Sequence, residues 1–154
     1  MWLLIASHSP QGGREVGLPL PPIEASGWLN GVAPKPDELN DKVLVIVAWA
    51  SWCAICRREA PELVYLYEKY HDQGVEFIGL SGEPAEDLPK MVAFIKATGT
   101  PWVNGYGAEE TLTAMGAAEV VPMVWVVDRR QRIVWNRASA QTLEAGIRQA
   151  LSSK

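Results

Sequence analysis

The chain reads as a single α/β domain built on a mixed sheet, and three observations carry that reading. Val43-Leu44-Val45-Ile46-Val47-Ala48 is an unbroken, largely β-branched run without polar alternation, the pattern of a strand covered on both faces. Strand-like and helix-like segments then alternate, so the first two strands are joined by a helical crossover and should run parallel. Two later apolar runs are separated only by the polar turn Asp128 to Arg132, which is too short for a crossover and predicts an antiparallel hairpin.

The elements follow in order. Residues 1–22 are expected to be an irregular tail and 23–154 the folded domain, because Gln11 to Pro22 holds three glycines and three prolines. Met1-Trp2-Leu3-Leu4-Ile5-Ala6 is apolar, but it lacks a basic leading region and is shorter than a signal-peptide core, so no signal peptide is evident. After the Val43 strand, Leu63, Val64, Leu66, Tyr67 and Tyr70 form the apolar face of a helix ending near Gly74. Val75 to Leu80 is the second strand. Leu88, Met91, Val92 and Ile95 recur at helical spacing, and Gly99 closes that helix. Leu112 and Met115 suggest a short helix. Met123 to Val127 and Ile133 to Trp135 are the third and fourth strands. Leu143, Ile147 and Leu151 mark a last helix, with Ser139 as its N-cap.

Composition narrows the function. The 154 residues carry 18 acidic against 14 basic side chains, a net charge of −4, which gives no general basic surface for nucleic acid. No apolar run approaches the roughly 20 residues of a membrane helix. Two cysteines cannot build a multi-disulfide scaffold, but they can make one bond. Of the seven tryptophans, Trp102, Trp125 and Trp135 lie in strand context and read as core. Arg129, Arg130, Arg132 and Arg137 read as a solvated turn rather than an anion site.

Cys53 and Cys56 stand three residues apart where the first strand gives way to the first helix. That spacing keeps both sulfurs within one helical turn, compatible with a disulfide whose Cα separation is usually about 4.4–6.8 Å. Cys53 lies at the helix start, where unpaired N–H groups and the positive dipole end favour the attacking thiolate. Cys56, one turn further in, should be the more buried and act as the resolving thiol. Arg57 and Arg58 add favourable local charge. Two other readings stand beside this one. A zinc site would need further ligands, whereas the histidines are His8 in the tail and His71 beyond the first helix. A purely structural thiol pair is the other, although a strand–helix junction hides sulfur poorly.

The stretch Asp41-Lys42-Val43 through Trp49-Ala50-Ser51-Trp52-Cys53-Ala54-Ile55-Cys56-Arg57-Arg58-Glu59-Ala60-Pro61 resembles the thioredoxin superfamily, and more closely its TlpA/ResA-like thiol–disulfide oxidoreductases. In element order the resemblance spans about residues 23–151. It implies a thioredoxin-like fold, a mixed central sheet flanked by helices, with an N-terminal hairpin extension matched by Gly27 to Gly31 and Asp37 to Leu39. It implies that Pro61 bends the first helix, that Trp49 packs inside, and that Trp52, Ala54 and Ile55 line the docking surface. It also implies a cis peptide at Val121-Pro122 beside the cysteines, where a partner chain docks. Threonine usually follows that proline; here Met123 makes the edge more apolar. Glu83, after the second strand, matches a glutamate tied to proton transfer or thiol tuning, while its plainer reading is an exposed acid favoured by a helix dipole. The buried aspartate of many thioredoxins falls on Val47.

The expected activity is exchange of the Cys53–Cys56 dithiol or disulfide with protein substrates, as a reductant by resemblance. No cofactor beyond the redox-active disulfide and no metal is expected. The partners would be protein disulfides or dithiols and a separate thiol electron donor. The resemblance places the protein outside the cytoplasm, periplasmic or membrane-tethered, with any anchor in a segment absent here; a monomer is expected. A non-catalytic binding module on the same fold and a copper or zinc chaperone remain the alternatives. A peroxiredoxin would carry threonine where Ala50 stands.

Overall fold

The computed structural model describes residues 12–153; the apolar start Met1 to Ala6 and His8 lie outside the described residues. Among the described residues six strands form one sheet: β1 (Gly27–Leu29), β2 (Val43–Ala48), β3 (Val75–Leu80), β4 (Val103–Tyr106), β5 (Met123–Val127) and β6 (Ile133–Asn136). Their spatial order is β1-β4-β3-β2-β5-β6. β2, β3 and β4 run parallel, while β1, β5 and β6 join their neighbours antiparallel. The parallel pair and the late hairpin are therefore as the sequence predicts.

Among the described residues five α-helices accompany the sheet: α1 (Pro36–Leu39), α2 (Ala54–Tyr70), α3 (Leu88–Thr98), α4 (Glu109–Ala114) and α5 (Leu143–Ser152). Strand residues alternate between faces, so Val43, Val45 and Val47 pack with Leu63, Leu66 and Tyr70 of α2 and Ile147 of α5. Leu44, Ile46 and Ala48 meet Leu112, Met115 and the partly buried Leu20, Ile23 and Leu39 on the other face. Every residue of β2 is buried, which explains its unalternated sequence. Gly74 and Gly99 take left-handed conformations (φ 91° and 68°) where the α2 and α3 segments end, the conformation glycine adopts without a Cβ penalty.

Several expectations change. The N-terminal extension is not a hairpin: β1 pairs antiparallel with distant β4, and α1 follows it. β1 and β4 are not read from the sequence because they are three and four residues long, and β1 contains Gly and β4 both Gly and Asn, which strands disfavour. Val92 is half exposed, whereas Met91 and Phe94 are buried; one residue past Met91, it is turned about 100° around the helix. α5 is capped by Thr142, whose hydroxyl accepts from the Ala145 N–H at 3.1 Å. Ser139 instead accepts from the Asn136 N–H in the preceding turn. Arg130, Arg132 and Arg137 are exposed, as a solvated turn requires, and Arg129 is partly buried. Arg129 donates to the Leu151 and Ser153 carbonyls, Arg132 to that of Gly17, and Arg137 pairs with Glu59 at 2.9 and 3.0 Å. Residues 12–22 run irregularly along β6, with an isolated bridge between Pro19 and Arg132.

Candidate active site

The end of β2 delivers Trp49 to Trp52 into a turn, and α2 begins directly after Cys53, which is its N-cap. Cys53 Sγ accepts the Cys56 N–H at 3.1 Å, satisfying a donor that the helix start leaves unpaired. Cys53 and Cys56 form a disulfide with Cα atoms 5.3 Å apart. Pro61 lies inside α2, where it removes one helical N–H. The expected difference in burial is absent: both cysteines are 5 % exposed. Each packs into one apolar cluster with Trp49, Ala50, Met91 and Phe94, edged by Leu88 and Val121, so position within the helix turn does not separate them.

Around this sulfur pair the surface is apolar and open. Trp52 is 72 % exposed and Ile55 47 % exposed, and Ala54 is exposed between them. Trp49, by contrast, is buried and stacks on Phe94 with ring centroids 4.6 Å apart, and the Arg57 guanidinium covers the same ring. β5 runs antiparallel to β2, so Met123 pairs with Ala48 and brings Val121-Pro122, a cis peptide, to the cysteine end of the sheet. Val121 touches the cysteine cluster, and Pro122 shares a small cavity with Cys56. The sheet thus brings together Trp52, Cys53, Ala54, Ile55, Cys56, Val121 and Pro122.

Glu83 is brought to the same end by β3, but it is 8 % exposed, not the surface acid of its plainer reading. Its carboxylate accepts the Ser51 N–H at 2.7 Å, the Ser51 hydroxyl at 2.5 Å and the Ser81 hydroxyl at 3.0 Å. Its backbone carbonyl accepts the Gly107 N–H. Glu83 therefore ties the turn ahead of Cys53 to the ends of β3 and β4. Beyond it lies an open groove of ≈ 600 Å³ bordered by Trp52, Glu83, Asp87, Glu109, Glu119 and Val121.

Sequence reasoning missed Ser51, Ser81 and Asn104. Ser51 and Ser81 flank short motifs already singled out, and each is the donor a buried carboxylate requires. Asn104 sits in the unread strand β4 and comes next to β3 only through sheet register. Among the described residues no group of three or more His, Cys, Asp or Glu side chains could hold a metal ion, and no helix is long and apolar enough to cross a membrane.

The Redoxin family model matches residues 15–151. The thiol-disulfide oxidoreductase ResA of Bacillus thuringiensis is 24 % identical over 107 residues, covering 70 % of this chain and 61 % of that protein. The thiol:disulfide interchange protein HelX of Rhodobacter capsulatus is 31 % identical over 117 residues, covering 74 % of this chain and 63 % of that one. The chain thus spans about three-fifths of the length of these relatives. Among solved structures, a thiol-disulfide isomerase from Corynebacterium glutamicum superimposes with a TM-score of 0.76 at 19 % identity, over 90 % of this chain and 99 % of that one. At that identity the likeness shows the fold, which is thioredoxin-like.

Proposed function

The chain belongs to the Redoxin family, as a TlpA/ResA-like member of the thioredoxin superfamily, and from that premise we propose that it is a protein thiol–disulfide oxidoreductase acting as a reductant. The observation that carries the oxidoreductase reading is the Cys53–Cys56 disulfide at the start of α2, beside Val121-Pro122; the direction, as a reductant, rests on the TlpA/ResA likeness alone. In the reduced protein, the Cys53 thiolate attacks one sulfur of a partner disulfide. A Cys53–partner bond forms, and the partner's other sulfur leaves with the electron pair and takes a proton from solvent. Cys56, having released its proton to solvent, attacks Cys53 Sγ. The Cys53–Cys56 bond forms, the Cys53–partner bond breaks, and the second partner sulfur is protonated in turn. Two electrons have passed to the partner, and a separate thiol donor returns them.

The helix start favours the Cys53 thiolate over the thiol. Trp52, Ala54, Ile55 and Val121-Pro122 form the docking edge, and their apolar exposure suits an extended protein segment carrying the disulfide. Glu83 holds the Ser51 turn and so positions Cys53. No cofactor beyond the cysteine pair takes part. The TlpA/ResA likeness supports an extracytoplasmic setting and a monomeric protein.

Insulin reduction by dithiothreitol tests the reading. The wild-type chain should accelerate precipitation of the insulin B chain well above dithiothreitol alone, and Cys53→Ser should abolish the acceleration. A wild-type rate equal to background, with both cysteines titratable after reduction, would make the protein a binding module.

A further inference from the structure

The sheet register sets Val47, Gly79 and Asn104 in one row across β2, β3 and β4. Val47 offers no polar side-chain atom. Gly79 offers no side chain at all, and the space above it is taken from both sides. A Cβ added at Gly79 would overlap Asn104 Oδ1 and lie 3.0 Å from Trp49 Nε1. Asn104 donates one amide hydrogen to the Trp102 carbonyl at 2.8 Å, and its Oδ1 and the indole Nε1 both border the space above Gly79. The Trp49 Nε1–H is buried and has no hydrogen-bond partner among the described residues, an uncommon condition for a buried indole. Both residues line a cavity of ≈ 20 Å³ that also touches Cys56, Thr100 and Pro122. A single water needs about 10–15 Å³ of such space and two to four polar partners.

We propose that this cavity seats one water that accepts the Trp49 Nε1–H and donates to Asn104 Oδ1 and to the Cys56 thiolate, making Asn104 and Trp49 positioning residues for the resolving cysteine. The proposal rests on the thiol–disulfide reading above and deepens it. A buried thiolate is disfavoured by desolvation unless something donates a hydrogen bond to it, and this site has no carboxylate at position 47 to assist. The water supplies that bond; no atom or electron passes through it. The charged group at the cavity rim is Glu59, one turn along α2, and its carboxylate is engaged by Arg137. Arg57 lies over the Phe94 ring that also borders the cavity.

The test follows thiolate formation at Cys56 by its ultraviolet absorbance against pH in the Cys53→Ser chain, with and without Asn104→Leu, Asn104→Ser or Trp49→Phe. Asn104→Leu fills the cavity and removes the acceptor, so the titration midpoint should rise by about one pH unit. Trp49→Phe keeps the stacking on Phe94 and loses the N–H, and should shift the midpoint in the same direction by less. Asn104→Ser keeps a polar atom and room for the water and should stay near the parent. If Asn104→Leu fails to fold by circular dichroism, Trp49→Phe decides. A midpoint for folded Trp49→Phe that coincides with the parent overturns the proposal. Because this readout needs no turnover, it separates the two readings. A shift without insulin reduction would sink the oxidoreductase function alone, and insulin reduction without a shift would sink the water site alone.

Discussion

The two flanks of the cysteine pair are built on opposite terms. On one side Glu83 is buried with every strong contact met, three donors on its carboxylate and one on its backbone carbonyl. On the other, Trp49 and Asn104 are equally buried, yet the indole N–H goes unpaired among the described residues. A satisfied network rigidifies what it touches, while an unsatisfied donor beside a cavity is free to bind something. On the proposed reading, the Glu83 side holds Cys53 in place and the Asn104 side serves the chemistry of Cys56.

The contrast breaks most visibly at Glu83. Glu83→Ala strands the Ser51 N–H and two hydroxyls, and should cost about 2–3 kcal/mol in urea unfolding. Unchanged stability with an altered pH profile of turnover would move Glu83 from positioning to chemistry. Gly79→Ala probes the other flank. The new methyl overlaps Asn104 Oδ1, and overpacking of this kind costs about 1–2 kcal/mol; denaturant midpoints would show it. Equal stability in Gly79→Ala would mean the Asn104 side is loosely packed rather than poised.

The smallest effect lies far from both flanks, where Glu144 on α5 accepts from Lys69 and Tyr70 at the end of α2. The Lys69 ammonium first, then the Tyr70 hydroxyl, holds the Glu144 carboxyl below its usual 4.5. A carboxyl lowered in the folded state stabilises above its unfolded value, and that contribution is lost as pH falls through the folded one. Glu144→Gln should therefore be slightly less stable than wild type at neutral pH and match it in acid, in unfolding curves taken across pH. The difference is small because the pair is solvent-accessible. A gap that persisted unchanged into acid would show that the charge is not its cause.

Much of this architecture is visible in the chain itself. β2 and β3 declare themselves through runs buried on both faces, α2 and α3 through apolar spacing and closing glycines, and the cysteine spacing marks the strand–helix junction. What stays hidden depends on pairing between distant segments. β1 and β4 are too short to stand out, with a glycine in each and Asn104 in β4, and each is identified by its pairing rather than by its own pattern. Asn104 carries meaning only because Gly79 lies beside it in the sheet. Cys53 and Cys56 differ in position along the helix but not in burial, since neighbouring Met91, Phe94 and Val121 come from other elements.

Cys53 is proposed to attack and Cys56 to resolve, and a trapping experiment separates the two roles. The Cys56→Ser chain, reduced and mixed with oxidised insulin, should accumulate a covalent mixed disulfide that intact-mass and peptide analysis locate at Cys53. The Cys53→Ser chain under the same conditions should accumulate far less. Trapping at Cys56 instead would exchange the two roles, and no adduct with either variant while the wild type reduces insulin would exclude this mixed-disulfide route.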